Sequence, residues 1–206
     1  MTSTPFRDLL ASPGVREVCR LEDHPTGRVG FMAYHGGSLE HYTDVIADEA
    51  AALAGASYYG VLQPADLQWH IPSHRVSMHE SDTLRAFVDH VDVVITIHGY
   101  GRDGMWTTLL LGGQNRELAE HVASHLEPSL PGYTIHTDLA TIPKELRGLH
   151  HTNPVNLPRS KGVQIELPPR VRGTSPIWND WTGPGHVPHT RSLIDALAAA
   201  AAAWTL

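Results

Sequence analysis

Apolar positions along the chain alternate between short runs rich in β-branched residues and longer runs with helical spacing. The run at 91–97 is almost unbroken, which is typical of a strand that is covered on both faces. The Ala-rich run Thr43–Ala54 has the length and composition of a helix. Further strands are predicted at 29–34, 57–62, 106–111, 133–136 and 163–167, and further helices at 80–90, 114–126 and 189–204.

Strands that alternate with helices of about a dozen residues predict an α/β fold with a central mixed, largely parallel sheet flanked by helices. We expect the strand at 106–111 to lie beside the strand at 91–97. No internal repeat and no linker divides the sequence, so 1–206 is predicted to form a single domain. The Gly- and Pro-rich connections at 143–158 and 168–188 are long, and long ordered loops in a compact domain are often functional.

The composition is that of an ordinary globular protein. The 206 residues suffice to bury a sizeable core, and 41% of them are apolar while 18% are charged. Cys19 is the only cysteine. The sequence therefore excludes an intramolecular disulfide and a cysteine-based metal site, and folding does not depend on an oxidising compartment.

The charge and the apolar runs argue against two classes of partner. A formal net charge of −7 argues against nucleic-acid binding. The longest uncharged apolar run, at 196–206, is too short to span a membrane. Residues 1–18 lack an apolar core flanked by basic residues, so we expect no secretory signal and a cytoplasmic protein as synthesised.

Residues that bind metals stand at the ends of predicted strands. His35 and His98 each follow a strand, and Glu40 is close enough in sequence to His35 to reach the same ion. Ligands bind at the carboxyl ends of strands in open α/β sheets. Two imidazoles and one carboxylate form a catalytic zinc set that leaves a fourth position open for water. Glu166, at the end of another strand, is placed to act as the general base that such a site needs.

Each of these residues alone is weak evidence for a site. A histidine after a strand is more often a hydrogen-bonded structural residue than a ligand. The presence of four such residues in matching positions favours the functional interpretation.

Five short blocks of the sequence have the order of the motifs in one enzyme family. The most specific are HGGSLE at 35–40 and GVQIE at 162–166, and the others are HIPS at 70–73, IHG at 97–99 and LGG at 111–113. By these blocks the chain resembles the poly-γ-glutamate hydrolase family over residues 29–172. That family is similar in fold to the zinc carboxypeptidases, and its members include phage-encoded enzymes that cut γ-glutamyl amide bonds.

The resemblance implies a zinc-carboxypeptidase-like fold and one Zn²⁺ per chain, with His35, Glu40 and His98 as the ligands. It also implies hydrolysis of γ-glutamyl amide bonds in poly-γ-glutamate, with a zinc-bound water as nucleophile and Glu166 as general base. If the chain is phage-encoded, release by lysis would follow.

The chain departs from the family pattern in two places. His41 and Tyr42 stand where a Pro-Gly-like turn is expected, and Pro72 interrupts the run near His70. We expect these departures to affect the preference for substrate rather than the metal.

The segment 144–172 is basic within an acidic chain. It contains six basic and two acidic side chains, a net charge of +4 against −7 for the whole sequence. Positive charge beside the predicted base suits an anionic polypeptide or an acylated amino acid, because a local field concentrates counter-charge. A solvated loop with incidental charge is the alternative. The candidate substrate-binding residues are Arg159, Arg170, Arg172, Asn156 and His70.

Three functions remain open at this level. The first is a zinc amidohydrolase that cuts γ-linked polyglutamate, and the second is a zinc deacylase or carboxypeptidase that acts on another acylated amino acid. The third is an accessory module that binds a metal without chemistry, and the presence of Glu166 beside the predicted ligands argues against it. The sequence leaves open the oligomeric state, with a monomer compatible, and the choice between internal and chain-end cleavage.

Overall fold

The computed structural model describes residues 5–23, 28–174 and 181–205. Seven strands and five α-helices follow one another in this part of the chain. The strands are β1 (Arg16–Arg20), β2 (Val29–Gly37), β3 (Ser57–Gln63), β4 (Val93–Gly99), β5 (Thr108–Gly112), β6 (Thr134–His136) and β7 (Gly162–Leu167). The helices are α1 (Pro5–Leu10), α2 (Thr43–Ala54), α3 (Asp82–His90), α4 (Arg116–Ser129) and α5 (Pro188–Ala203).

The seven strands form one mixed sheet in the order β1-β3-β2-β4-β7-β5-β6. The four central strands β3, β2, β4 and β7 are parallel to one another. At the two sides of this parallel centre, β1 runs antiparallel to β3 and β5 runs antiparallel to β7. The carboxyl ends of β2, β4 and β7 therefore lie side by side at one edge of the sheet.

Helices cover both faces of the sheet. Buried residues of α2, α4 and α5 pack with Phe31, Ile95 and Ile165 in the larger core cluster. On the other face, buried residues of α1 and α3 pack with Met32 and Val94. Because β4 is apolar on both faces and central in the sheet, it carries the nearly unbroken apolar run that the sequence shows.

Side-chain caps fix where two of the helices begin. The hydroxyl oxygen of Ser81 accepts a hydrogen bond from Leu84 N at 2.9 Å, and the Asn115 side chain accepts one from Leu118 N at 2.8 Å. Both bonds satisfy an amide that has no partner within its own helix. The helix predicted at 80–90 thus begins at Asp82, with Ser81 as its cap.

The predicted α/β class, with a mixed and largely parallel sheet, is confirmed. One expected neighbour is wrong: β5 does not pair with β4, because β7 lies between them. Both edges of β4 are taken by the parallel strands β2 and β7, which leaves no edge for β5. The elements α1 and β1 were not predicted, since both are short and the side chains of β1, at the edge of the sheet, are only partly buried or exposed.

None of the helices formed by residues 5–23, 28–174 and 181–205 is long and apolar enough to cross a membrane.

Candidate active site

The polar side chains of the site arise from the alternation of two parallel strands. In β4, Thr96 and His98 alternate with core residues, and in β7, Gln164 and Glu166 do the same. The register pairs His98 with Glu166. Because successive side chains of a strand point to opposite faces, these four polar residues share the face that carries α1 and α3. The two strands thus present one histidine and one glutamate at their carboxyl ends.

A tight turn after β2 brings Glu40 back to the strand it has just left. The Glu40 amide donates a hydrogen bond to the His35 carbonyl at 2.9 Å. Gly37 has a φ of 70°, and a Cβ there would lie 2.3 Å from the Gln63 carbonyl oxygen. Only glycine fits this left-handed position so close to β3. The turn thereby places the Glu40 carboxylate over the ends of β2 and β4.

The Glu40 carboxylate lies between two buried imidazoles. Its Oε1 is 2.7 Å from His35 Nδ1, and its Oε2 is 3.2 Å from His98 Nδ1. The amide of Gly99 also donates to Oε2 at 2.9 Å. Burial favours the neutral carboxyl group, but the two imidazoles outweigh it and hold the pKa of Glu40 well below its usual value. Burial also opposes charge on His98, and Glu40 nevertheless raises the pKa of that imidazole.

The outer nitrogens of both histidines have acceptors of their own. His35 Nε2 lies 2.9 Å from the Ile71 carbonyl, which can only accept a hydrogen bond. His98 Nε2 lies 2.9 Å from the Tyr34 hydroxyl oxygen. A neutral imidazole that donates from Nε2 presents the lone pair of Nδ1, so two lone pairs face one carboxylate. Acceptors that converge in this way require a proton or a cation between them, and outer-nitrogen bonds of this kind orient histidines that bind metals.

His70 approaches the same carboxylate from the segment that follows β3. Among the described residues, one group of three potential ligands has donor atoms within 4.8 Å of one another, and it consists of His35, Glu40 and His70. The rings of His70 and His35 are 4.9 Å apart. His70 is exposed, whereas His98 is buried. The donor set of nitrogen and carboxylate oxygen fits zinc. The group shares His35 and Glu40 with the predicted ligands and has His70 in the place of His98.

Glu166 stands beside this group without an ion-pair partner of its own among the described residues. Its Oε1 accepts a hydrogen bond from Gln164 Nε2 at 2.8 Å. Burial, opposed by His98 and reinforced by Glu40, raises the pKa of Glu166 to about 7. A carboxylate with a pKa near neutrality has the basicity that proton transfer at neutral pH requires.

Arg172 is buried behind the two carboxylates. Its Nη1 donates to the His41 carbonyl at 2.7 Å, and its Nε donates to the Leu167 carbonyl at 3.2 Å. A Cβ on Gly99 would lie 2.8 Å from the Arg172 guanidinium carbon, so glycine at 99 allows this close packing. The position makes Arg172 a fixed positive charge near Glu40 and Glu166 rather than an arm that reaches toward substrate.

The structure does not bring the other predicted substrate-binding residues of the basic segment to the site. Arg159 precedes β7, at the amino end of the parallel strands, and its guanidinium pairs with Asp92 at 3.0 Å. The Arg170 guanidinium carbon lies 5.8 Å from the centre of the Tyr133 ring. Asn156 is buried, and its amide donates to the carbonyls of Gly148 and His150 at 2.7 and 2.9 Å. Asn156 therefore shapes the loop that borders the site.

A cleft of ≈ 540 Å³ opens above His35, Glu40, His98 and Glu166. The expected functional connection at 143–158 forms one wall of it. The described part of the connection at 168–188 contributes Arg172 behind the site, while 175–180 lies outside the described residues. Basic and imidazole side chains that line the cleft are Lys144, His70, His74 and His150.

Sequence reasoning did not find the hydrogen-bond network that holds the site together. Tyr34, Asn153 and Gln164 are buried, and hydrogen bonds connect them to one another and to His98 and Glu166. Burial keeps the pKa of Tyr34 well above its usual value, so its hydroxyl keeps the proton. The signal that was available for Gln164 is its place two residues before Glu166, on the same face of a strand.

Tyr42, which together with His41 replaces the expected Pro-Gly-like turn, adopts a backbone conformation that glycine favours. Tyr42 has a φ of 75°, a left-handed value that is uncommon outside glycine. Its hydroxyl lies 2.7 Å from His186 Nδ1, and His186 Nε2 lies 2.8 Å from the Glu49 carboxylate. These contacts connect the Tyr42 side chain, at the start of α2, to His186 and through it to Glu49.

Comparisons with known proteins found similar structures and a matching family model. The fold is similar to that of a bacteriophage poly-γ-glutamate hydrolase, which has 20% identity and a TM-score of 0.70 over 92% of this chain and 89% of that chain. The zinc-free form of YndL has 19% identity and a TM-score of 0.70, covering 88% and 86%. A metallo-carboxypeptidase from Burkholderia cenocepacia is 11% identical, with a TM-score of 0.49 over 95% of this chain and 65% of that chain.

A comparison with curated proteins gave no match. The family model described as poly-gamma-glutamate hydrolase matches residues 11–176, which include every residue of the candidate site. The chain therefore belongs to the poly-γ-glutamate hydrolase family.

Proposed function

We propose that this hydrolase cuts γ-glutamyl amide bonds of poly-γ-glutamate with one zinc ion held by His35, Glu40 and His98. The observation that carries the proposal is the convergence of two imidazole Nδ1 atoms on one carboxylate, at 2.7 and 3.2 Å. His70 is the further donor beside them. A catalytic zinc site keeps one position open, so we assign His70 to the cleft and the buried, hydrogen-bonded His98 to the ion.

The chain's own residues divide the work of hydrolysis. A bound zinc ion would lower the pKa of a water from about 15.7 to near 7 and polarise the substrate carbonyl. Glu166 accepts a proton from the attacking water and delivers it to the departing amine. Burial supports this role, because in the metal-free protein it raises the pKa of Glu166 and so makes the carboxylate more basic. The buried guanidinium of Arg172 limits the negative charge that accumulates where two glutamates lie close together.

The wall of the cleft supplies charge for an anionic chain. Each γ-linked glutamate keeps its α-carboxylate, so the substrate is a polyanion. Lys144 lines the cleft together with His74 and His150, and the one acid of this wall, Glu145, is paired with Arg102 at 2.5 Å. Because Arg159 and Arg170 lie elsewhere, Lys144 is the member of the basic segment that we expect to meet substrate carboxylates.

A comparison of three substrates tests the proposal against its alternatives. We expect the protein to shorten poly-γ-glutamate and to leave α-linked polyglutamate and neutral acylated amino acids largely uncut. Preference for a neutral acylated amino acid would favour the deacylase or carboxypeptidase alternative. Zinc binding without turnover of any of the three would favour the non-catalytic module.

A further inference from the structure

An unbroken line of hydrogen bonds joins the predicted general base to one of the predicted ligands. Gln164 Nε2 lies 2.8 Å from Glu166 Oε1, and Asn153 Nδ2 lies 2.9 Å from Gln164 Oε1. The Tyr34 hydroxyl lies 3.1 Å from Asn153 Oδ1, and His98 Nε2 lies 2.9 Å from the Tyr34 oxygen. The line connects β7, the segment before the 3-10 turn Pro154–Asn156, β2 and β4.

The direction of every bond follows from the chemistry of Glu166. A carboxylate only accepts hydrogen bonds, so Gln164 must turn its NH₂ group toward Glu166 and its oxygen toward Asn153. Asn153 must then donate to Gln164, and its own oxygen is left to accept the proton of Tyr34. The Tyr34 oxygen can then only accept from His98. Hence Nε2 of His98 carries the hydrogen, and Nδ1 presents its lone pair toward Glu40.

The three connecting residues are buried polar groups, Tyr34 within the apolar cluster under α1 and α3 and Asn153 and Gln164 at the wall of the cleft. Tyr34, Asn153 and Gln164 are 0%, 2% and 4% exposed. Each loses its hydration on folding and would destabilise the protein without partners. Each also has a partner on both sides, so the line is complete from one end to the other. A complete buried network holds its members in one arrangement, which is what a ligand and a base at fixed separation require.

We propose that Tyr34, Asn153 and Gln164 are positioning residues that set the ring orientation and tautomer of His98 and hold the Glu166 carboxylate at a fixed distance from it. The proposal rests on the function proposed above, since it assumes that His98 binds the metal and that Glu166 is the base. Tyr34 orients the ligand His98, and the amides of Asn153 and Gln164 orient the base Glu166, so the two roles can be tested separately.

Tyr34→Phe tests the ligand end. The substitution removes the acceptor of His98 Nε2 and leaves the bonds from Asn153 to Gln164 and from Gln164 to Glu166 in place. We expect zinc affinity, measured by competition with a chromophoric chelator, to fall about tenfold to a hundredfold, the usual effect of losing such an outer-nitrogen partner. The visible spectrum of the cobalt-substituted protein should change as well.

Tyr59→Phe is the matched control. Tyr59 is also fully buried in the same cluster, on the neighbouring strand, and its hydroxyl donates to Glu17 at 2.6 Å, away from the site. This variant should lose a comparable hydrogen bond and some stability while it keeps zinc affinity and the cobalt spectrum of the wild type.

Asn153→Asp tests the base end. The aspartate keeps the oxygen that accepts from Tyr34 and from Val155 N, but it loses the amide that donates to Gln164. Gln164 then has no donor on that side and is drawn away from Glu166. We expect zinc affinity to stay within a few-fold of wild type and kcat to fall by about tenfold or more, with little change in KM. Circular dichroism and thermal melting confirm that both variants are folded.

The outcomes distinguish this proposal from the function on which it rests. A wild type that binds zinc, together with Tyr34→Phe that binds it equally well, overturns the positioning role alone. Equal kcat in Asn153→Asp and wild type overturns the role of the amides. A wild type that neither binds zinc nor shortens poly-γ-glutamate overturns the proposed function and this proposal with it.

Discussion

Replacing Glu166 by glutamine should stabilise the metal-free protein at neutral pH, although it should abolish most of the activity. The reason is that burial raises the pKa of Glu166 from 4.5 to about 7. Each pKa unit corresponds to about 1.4 kcal/mol, so the ionised carboxylate costs about 3 kcal/mol of stability in the folded state. Glutamine keeps the oxygen that accepts from Gln164 and carries no charge.

The sign of the effect follows from proton binding. Between pH 4.5 and 7 the folded wild type binds more protons at Glu166 than the unfolded chain does, so stability at this residue falls as pH rises through that window. Below the window both states are protonated and the difference vanishes. The advantage of Glu166→Gln should therefore grow from about 1 kcal/mol at pH 5 to about 3 kcal/mol at pH 8.

Urea unfolding of chelator-treated protein at pH 5, 6.5 and 8 measures this difference. Glu127→Gln, at an exposed position of α4, is the control and should show no such trend. An advantage for Glu166→Gln that is absent at pH 8, or that does not grow with pH, would refute the account of a desolvated base. Added zinc should reduce the advantage, since a nearby cation favours the ionised carboxylate.

Three further predictions concern the loaded enzyme. In a chelator competition assay, His98→Ala should reduce zinc affinity by more than about a hundredfold, while His70→Ala should keep zinc bound. If His70→Ala loses zinc and His98→Ala keeps it, the third ligand is His70. Glu166→Gln should keep zinc and lose at least about a hundredfold in kcat, and near-normal turnover would assign the proton transfer elsewhere. Lys144→Ala should raise KM for poly-γ-glutamate more than for a neutral acylated amide, and added salt should raise the KM of the wild type for the polymer but not that of the variant. Arg159→Ala is the control. Equal losses on both substrates would show that Lys144 is an ordinary surface residue.

Periodicity predicted most of the fold because the buried elements are strongly patterned. The helix α2 has the predicted bounds, Thr43–Ala54, since an Ala-rich run there is buried against the sheet. The apolar run of β4 predicted a central strand for the same reason. The edge strand β1 was missed because its side chains are only partly buried, which leaves no clear alternation in the sequence. The position of β7 between β4 and β5 depends on long-range pairing that local patterns do not encode.

Proximity in sequence misled the interpretation of the arginines. Arg159 stands seven residues before Glu166, but it precedes β7 whereas Glu166 lies near the end of that strand, and an extended strand rises about 3.3 Å per residue. His35, His98 and Glu166, which the sequence placed at strand ends, do lie together, because parallel strands end at one edge of the sheet, and the turn after β2 brings Glu40 to them. The contact between Tyr34 and Asn153 could not be predicted from the pattern, since it joins positions 119 apart in the sequence.

The most direct test of the central claim measures bound zinc and the chain length of poly-γ-glutamate with the same preparations of wild type and His35→Ala. The account predicts one zinc per wild-type chain, and shortening of the polymer that stops on chelation and returns when zinc is restored. It predicts neither bound zinc nor shortening in His35→Ala, which loses the predicted ligand nitrogen 2.7 Å from the Glu40 carboxylate. Shortening that persists after chelation, or full zinc occupancy in His35→Ala, would contradict it.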